Sequence, residues 1–273
     1  MSLLQRRCVL EFGQRGNTGR RISGLRVQFD LRLSTSGQPN GGTITVYNLS
    51  PSSVSMLQEP SAVVRLLAGY ADPSGQGVPR LLMEAELVPG SVRSEKQGPD
   101  RVTTIEVADG GPQIAGARVS QEFAGIPSAQ DLLDSVTEAL GFGEGAVTLP
   151  DLSLTEGTTI FGQASDVLDR LAAGVNGQWW VDGGQVYIVP TGAAATDTSL
   201  VLSAKNRNLI GSPTPTDKGL QATALLDASL RPGSRYRVQS KGIPGRDYVA
   251  SDVRYTGDTH GQPWYAIVTG VPL

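Results

Sequence analysis

The chain has 273 residues, 39% of them hydrophobic and 5% aromatic, with 34 glycines, 17 prolines, one cysteine and a net charge of −3. That length can bury a substantial core, and the glycine and proline content favours many short strands joined by turns over a helical bundle. A single cysteine excludes an internal disulfide, and an acidic chain without a basic stripe interleaved with aromatics argues against a nucleic-acid reader.

Seven arginines stand in the first 32 residues against Glu11 and Asp30. Such enrichment suits two-pronged contacts with carboxylate or phosphate, and a solvated hairpin is the plain alternative. Arg6 and Arg7 follow two leucines, so no secretory leader is expected, and no apolar run approaches membrane length. Cys8 is then expected to be a small buried hydrophobe in a chain folded under reducing conditions.

From Leu25 to Leu33 apolar and polar residues alternate, the period of a half-buried strand. Thr43 to Leu49 follows as a strand after the turn Gln38–Gly42, and Ser52 or Ser53 is the expected cap of one helical turn through Leu57. Asn48-Leu49-Ser50 matches a glycosylation sequon but reads as a strand end. Ala62–Tyr70 and Arg80–Val88 are strands around a loop with Pro73, Gly75, Gly77 and Pro79, and Arg101–Ala108 completes the set. Glu84 and Glu86 share one strand face, which reads as solvated.

In the middle, Asp131–Val136 is echoed 35 residues later by Asp166–Leu171, which predicts two similar helices in one α/β module. Ser128 three residues before Asp131 makes a capping box. Ser165 is the expected cap of the second helix, Leu168 and Leu171 lie on its apolar stripe, and Gly174 or Gly177 is its expected stop. Trp179 and Trp180 then lead into Asp182-Gly183-Gly184, a hairpin turn returning through Val186 and Ile188. These two tryptophans, with Leu168 and Leu171, are the expected structural core. Gly141-Phe142-Gly143 reads as a helix stop and not as a nucleotide loop.

After a small-residue linker, Thr191–Thr198, strands are expected at Ser199–Ser203, Gly219–Leu225, Ser234–Ser240, Asp247–Tyr255 and Trp264–Val271, with turns at Arg231-Pro-Gly and Gly257–Gly261. The expected class is mainly β with an α/β insert. It comprises two small antiparallel β-barrel domains, 1–108 and 199–273, flanking a mixed domain at 109–190, with 191–198 as linker. Charge is partitioned along the chain: residues 1–105 carry 12 basic and 8 acidic side chains, 106–182 carry 2 and 12, and 183–273 carry 9 and 6. A solvated acidic face on the middle domain explains this, as do separate domains facing different neighbours.

Catalysis has little to work with. His260 is the sole histidine, so a hydrolytic relay or a multi-histidine metal site is not expected, and Asp258 beside it reads as a solvated loop residue. No catalytic, metal or cofactor-binding residue is assigned.

Several stretches, in order along nearly the whole chain, resemble the hub proteins of contractile phage tails, the late control protein D-like family. They are Ile44–Ser50 with Ala68-Gly69-Tyr70, the unit bearing Trp179, Trp180, Asp182 and Tyr187, Asn208–Pro213 with Lys218-Gly219, Leu230-Arg-Pro-Gly233, and Tyr255–Tyr265. The resemblance implies two β-barrels around a mixed domain, and three chains in a ring that adapts a sixfold tail tube to a threefold spike, with a channel for DNA. It implies a virion baseplate protein assembled in the host cytoplasm, without enzymatic activity or cofactor. The implied partners are the chain itself, the tail tube protein, the central spike and other baseplate proteins, with the tape measure protein a further candidate. Arg6, Arg7, Arg20 and Arg21 are the candidate contacts between chains or with the tube. No segment that could be a muralytic domain is expected. A peptidoglycan hydrolase and a surface-glycan module, the latter suggested by the paired tryptophans, are the alternatives.

Overall fold

A computed structural model describes residues 5–14, 19–71, 78–152, 154–217 and 219–273. Arg15, the loop residues Pro73, Gly75 and Gly77, and Lys218 lie outside the described residues. The first region holds β1 (Arg6–Gln14), β2 (Arg20–Ser23), β3 (Val27–Ser34), β4 (Asn40–Tyr47), α1 (Pro51–Leu57), β5 (Ala62–Tyr70), β6 (Arg80–Leu87), β7 (Arg93–Gln97) and β8 (Asp100–Asp109). The middle region holds α2 (Gly111–Gly116), β9 (Arg118–Glu122), α3 (Ala129–Leu140), β10 (Gly143–Val147), β11 (Thr159–Gln163), α4 (Ala164–Gly174), β12 (Gly177–Asp182) and β13 (Gln185–Pro190). The last region holds β14 (Thr196–Ser203), β15 (Leu209–Thr216), β16 (Gly219–Leu225), β17 (Ser234–Ser240), β18 (Ile243–Asp258) and β19 (Trp264–Pro272).

The chain is mainly β, and alternation is the reason. Val27, Phe29, Leu31 and Leu33 of β3 point inward, as do Trp264, Ala266 and Val268 of β19, so each strand has one apolar face to bury. The first and last regions join in one 14-stranded sheet, with the path β15-β16-β19-β18-β3-β4-β8-β6-β5-β1-β2 and with β7, β14 and β17 attached off it. The sheet is open, which corrects the expectation of closed barrels. The cause is β18, whose 16 residues outrun either neighbour. One of its edges pairs with β17 up to Val249 and then with β3 from Asp252 to Asp258. The β3 edge that a closed barrel would have to satisfy is therefore hydrogen-bonded to the last region. A single apolar core runs through both β regions, from Leu10 and Phe12 to Ala266 and Val268.

The middle region has its own core, built from α3, α4 and the β12–β13 hairpin. Ser128 and Asp131 form the capping box of α3, and Gly141 ends that helix at φ +69°. Helix α4 departs from expectation at both ends. Its first N–H, at Ala164, donates to the Ala117 carbonyl (3.0 Å), so no side-chain cap is needed there, and Ser165 sits inside the helix behind the N-cap Gln163. Neither glycine takes the left-handed position after it; Asn176 does, at φ +50°. Ser50, not Ser52 or Ser53, caps α1. Cys8 is partly buried against the β core, and burial pushes its thiol up to about 12. No helix among the described residues is long and apolar enough to cross a membrane.

Candidate functional site

The β12–β13 hairpin is where the three regions meet. Its loop is Gly183-Gly184, at φ +62° and +73°, the left-handed pair that a two-residue hairpin turn requires. The Gly183 N–H donates to Asp109 Oδ2 at the end of β8 (2.8 Å), and Asn40 Nδ2 donates to the Val181 carbonyl (2.8 Å). From the last region Arg231 reaches in: Nε donates to Asp182 Oδ2 (2.8 Å), Nη2 to the other carboxylate oxygen, and Nη1 to the Leu82 carbonyl on β6 (2.5 Å). One guanidinium thus fastens a strand of each earlier region to the turn before β17. The Asp182 side chain is 8% exposed and that of Arg231 25%.

Leu230-Arg231-Pro232-Gly233 is shaped for this joint. Leu230 is buried and its carbonyl accepts from the Tyr255 hydroxyl. Gly233 has φ +75°, and a Cβ there would stand 2.6 Å from the Trp180 ring. Trp180 in turn stacks on Tyr187, centroids 5.1 Å apart. Burial pushes the Asp109 carboxyl up to about 7, and the negative charges of Asp182 and Glu86 add to this against the pull of the Gly183 N–H and Arg231. The joint can couple the orientation of three regions and contains a carboxyl that titrates near neutrality. Among the described residues no group of His, Cys, Asp and Glu could hold a metal ion.

Trp179, Trp180, Leu168 and Leu171 are all at most 5% exposed. Trp179 lies in the middle core with Nε1 donating to Asp169 Oδ1 (2.7 Å), so neither indole offers an outer platform for a sugar.

The four singled-out arginines fall in two places. Arg6 sits at one end of β1 and donates to the carbonyls of Asp258 (2.9 Å), Gly261 (2.5 Å) and Gln262 (3.0 Å), 5.5 Å over the Trp264 ring. It pins the β18–β19 turn. Arg20 faces Phe12, six residues along β1, about 20 Å away; its Nη1 donates to the hydroxyls of Ser50, Ser52 and Ser53 (3.2, 2.9 and 2.7 Å). Arg7 and Arg21 are exposed, Arg21 with Nε 3.6 Å from Glu11 Oε1.

Asp258 is not a solvated loop residue. Strand β18 extends to it, opposite Gln28, and it is 4% exposed. It accepts from Arg26 (3.2 and 2.7 Å), Gln28 (2.8 Å) and the His260 N–H (2.8 Å). Burial alone would raise its pKa, but these hydrogen bonds outweigh burial and hold it well below the usual carboxylate range. Glu84 pairs with Arg65 (3.0 Å), while Glu86 turns to α2 and accepts from the Gly110 N–H and Gln113.

Neither Ala62–Tyr70 nor Trp264–Val271 is free to pair with another copy as a sheet edge. Ala62–Tyr70 is β5, flanked by β1 and β6, and Trp264–Val271 falls in β19, flanked by β16 and β18. Among the described residues, the strands of the large sheet paired on one side only are β2, β7, β14 and β15. The Arg231–Asp182 pair went unforeseen. Both residues lie in stretches noted for resemblance, but nothing in a sequence links side chains 49 positions apart.

The fold is that of phage tail proteins. No protein-family model matches the chain, and no curated protein matches it in sequence. Among solved structures it is similar to the 43 kDa tail protein of prophage MuSo2 from Shewanella oneidensis, with TM-score 0.64, 10% identity, and 98% of each chain covered. It is also similar to a tail protein from Neisseria meningitidis MC58, with TM-score 0.57, 12% identity, and 97% of this chain and 96% of that one covered. A third is the Escherichia coli c3393 protein, described as a type VI secretion component with structural similarity to the T4 tail proteins gp27 and gp5. There the TM-score is 0.58 at 13% identity, covering 96% of this chain and 76% of that one.

Proposed function

We propose that the chain is a structural hub of a phage tail baseplate: three copies form a ring that adapts the sixfold tail tube to the threefold central spike and leaves a channel for DNA. The observation that carries this reading is likeness along the whole length, 98% of both chains, to a prophage tail protein. The likeness to c3393, itself compared with gp27 and gp5, supports a place next to a spike. A threefold ring meets a sixfold tube through like contacts only if each chain offers two similar sites. In this reading 1–108 and 199–273 supply them, 109–190 is an insert and 191–198 a linker. The hub works in the virion tail, is assembled in the host cytoplasm, contacts tube, spike and other baseplate proteins, with the tape measure protein a further candidate, and catalyses nothing.

The test is a cryo-EM map of tail tips containing the chain, with cell-wall zymography of the purified protein beside it. Three copies between tube and spike are expected, with no clearing of the wall. A ring of six copies, a position away from the tube axis, or clearing that an Asp or Glu substitution abolishes would overturn the reading.

A further inference from the structure

A cleft of about 860 Å³ runs between the first β region and the end of α3, within the size range of ligand pockets, about 300–1,000 Å³. Its walls are apolar: Leu87, Val88 and Val92 on the β6–β7 side, Leu140 and Phe142 on the other. Phe142 is seated where Gly110 has no side chain, since a Cβ there would stand 2.6 Å from its ring. The lining carries the amides Gln58 and Gln113 and the hydroxyl of Ser61, and its charges are of one sign. Its charged lining residues are Glu59, on the exposed rim, and Glu86, whose carboxylate already accepts from the Gly110 N–H and Gln113, and the lining includes neither lysine nor arginine. Pro60, Pro89 and Pro112 on the lining bring carbonyls without N–H donors. Helix α3 ends here at Leu140 with no basic residue in its last turn, so its carbonyl end adds partial negative charge. The chain from 106 to 182, which contains α3, has only two basic side chains against twelve acidic ones.

Apolar walls ask for aliphatic side chains, and a rim of carboxylates and carbonyls asks for donors that carry positive charge. We propose that this cleft docks an extended segment of a partner protein in which aliphatic residues alternate with lysine or arginine. The proposal goes beyond the hub reading and does not depend on it.

The test uses the full chain and fluorescein-labelled nonapeptides that alternate Lys with Leu, Ser with Leu, or Lys with Ser, followed by anisotropy. The Lys–Leu peptide is expected to bind at least about tenfold tighter than either control, a difference of about 1.4 kcal/mol. Glu59→Lys, on an exposed turn, and Val88→Lys, on the wall, are each expected to weaken it by a similar factor with unchanged melting temperature. If Val88→Lys lowers the melting temperature, Glu59→Lys alone decides. No binding of the Lys–Leu peptide, equal binding of the Ser–Leu peptide, or unchanged binding to Glu59→Lys overturns the proposal. So does self-association of the wild type in sedimentation that Glu59→Lys abolishes, since the occupant is then a second copy of the chain.

Discussion

Replacing Arg231 by Leu removes the cation that pairs with Asp182, whose side chain is 8% exposed, and strips a donor from the Leu82 carbonyl. Removing one partner of a buried ion pair typically costs about 3–5 kcal/mol. For a chain of this size that is a fall in melting temperature of roughly 10 °C. Attraction and burial nearly cancel in such pairs, so replacing both partners with apolar residues should return most of the loss. The assay is urea unfolding of the wild type, Arg231→Leu, Asp182→Leu and the double variant, followed by tryptophan fluorescence, since Trp180 lies against Gly233 in the same joint. Coupling of about 2 kcal/mol or more between the two positions is expected. If Arg231→Leu stays within about 0.5 kcal/mol of wild type, the range of an ordinary surface change, or if the two losses simply add, the joint does not hold the regions together.

Trp180→Ala should cost about 3–5 kcal/mol as a buried aromatic, and an unchanged unfolding midpoint would show that the Gly233 contact contributes nothing. Asp109 holds its proton more tightly folded than unfolded, so stability is expected to fall as pH rises from about 4 through 7, by on the order of 3 kcal/mol. Asp109→Asn should flatten that decline in melting temperature, and an equally steep profile in the variant would assign it to another group. Asp258 is shifted the opposite way, so its share of stability is present at neutral pH and lost on acidification below about pH 4. Arg21→Glu should leave the monomer as stable as wild type while impairing incorporation into tails, because its side chain is 68% exposed. Arg20→Glu should also disturb α1 through Ser50, Ser52 and Ser53. Normal tails from Arg21→Glu would remove that arginine from the proposed contacts.

Local signals were legible where a residue's neighbours in sequence are its neighbours in space. The capping box at Ser128, the Gly183-Gly184 turn and the alternation of β3 all satisfy that condition. Strands β7, β9, β10, β11 and β15 were not foreseen, and β1 and β2 only as the plain alternative of a hairpin. Arg93–Gln97 has no apolar face at all, and Leu209–Thr216 contains Gly211, Pro213 and Pro215, which argue against a strand unless its outer edge is unpaired. β15 has such an edge, pairing on one side with β16. The joint was invisible for a different reason. Asp109, Asp182 and Arg231 come together only once β6, β8 and β12 are in place, and a lone Asp or Arg in a turn looks the same whether it meets water or a partner.

The two kinds of junction in the molecule differ in what they resist. The β regions share an apolar core and the β3–β18 ladder, so sliding one past the other would break a continuous set of backbone hydrogen bonds and open cavities throughout a close-packed interior. The middle region has a separate core and meets the others through polar contacts at Asn40, Asp109, Asp182 and Arg231 and through the rings of Trp179, Trp180 and Phe142, packed against Gly37, Gly233 and Gly110. Such contacts cost a few kcal/mol each to lose but can be broken one at a time, whereas a shared core cannot be opened in part. In the proposed ring, strand pairing between copies would fall to the described strands with an unpaired edge, β2, β7, β14 and β15. β15 is the least suited of these, because Pro213 and Pro215 withhold donors from its outer side. If the proposed ring forms, adjustment to tube or spike would be concentrated at the Arg231 joint, where single polar contacts link the regions.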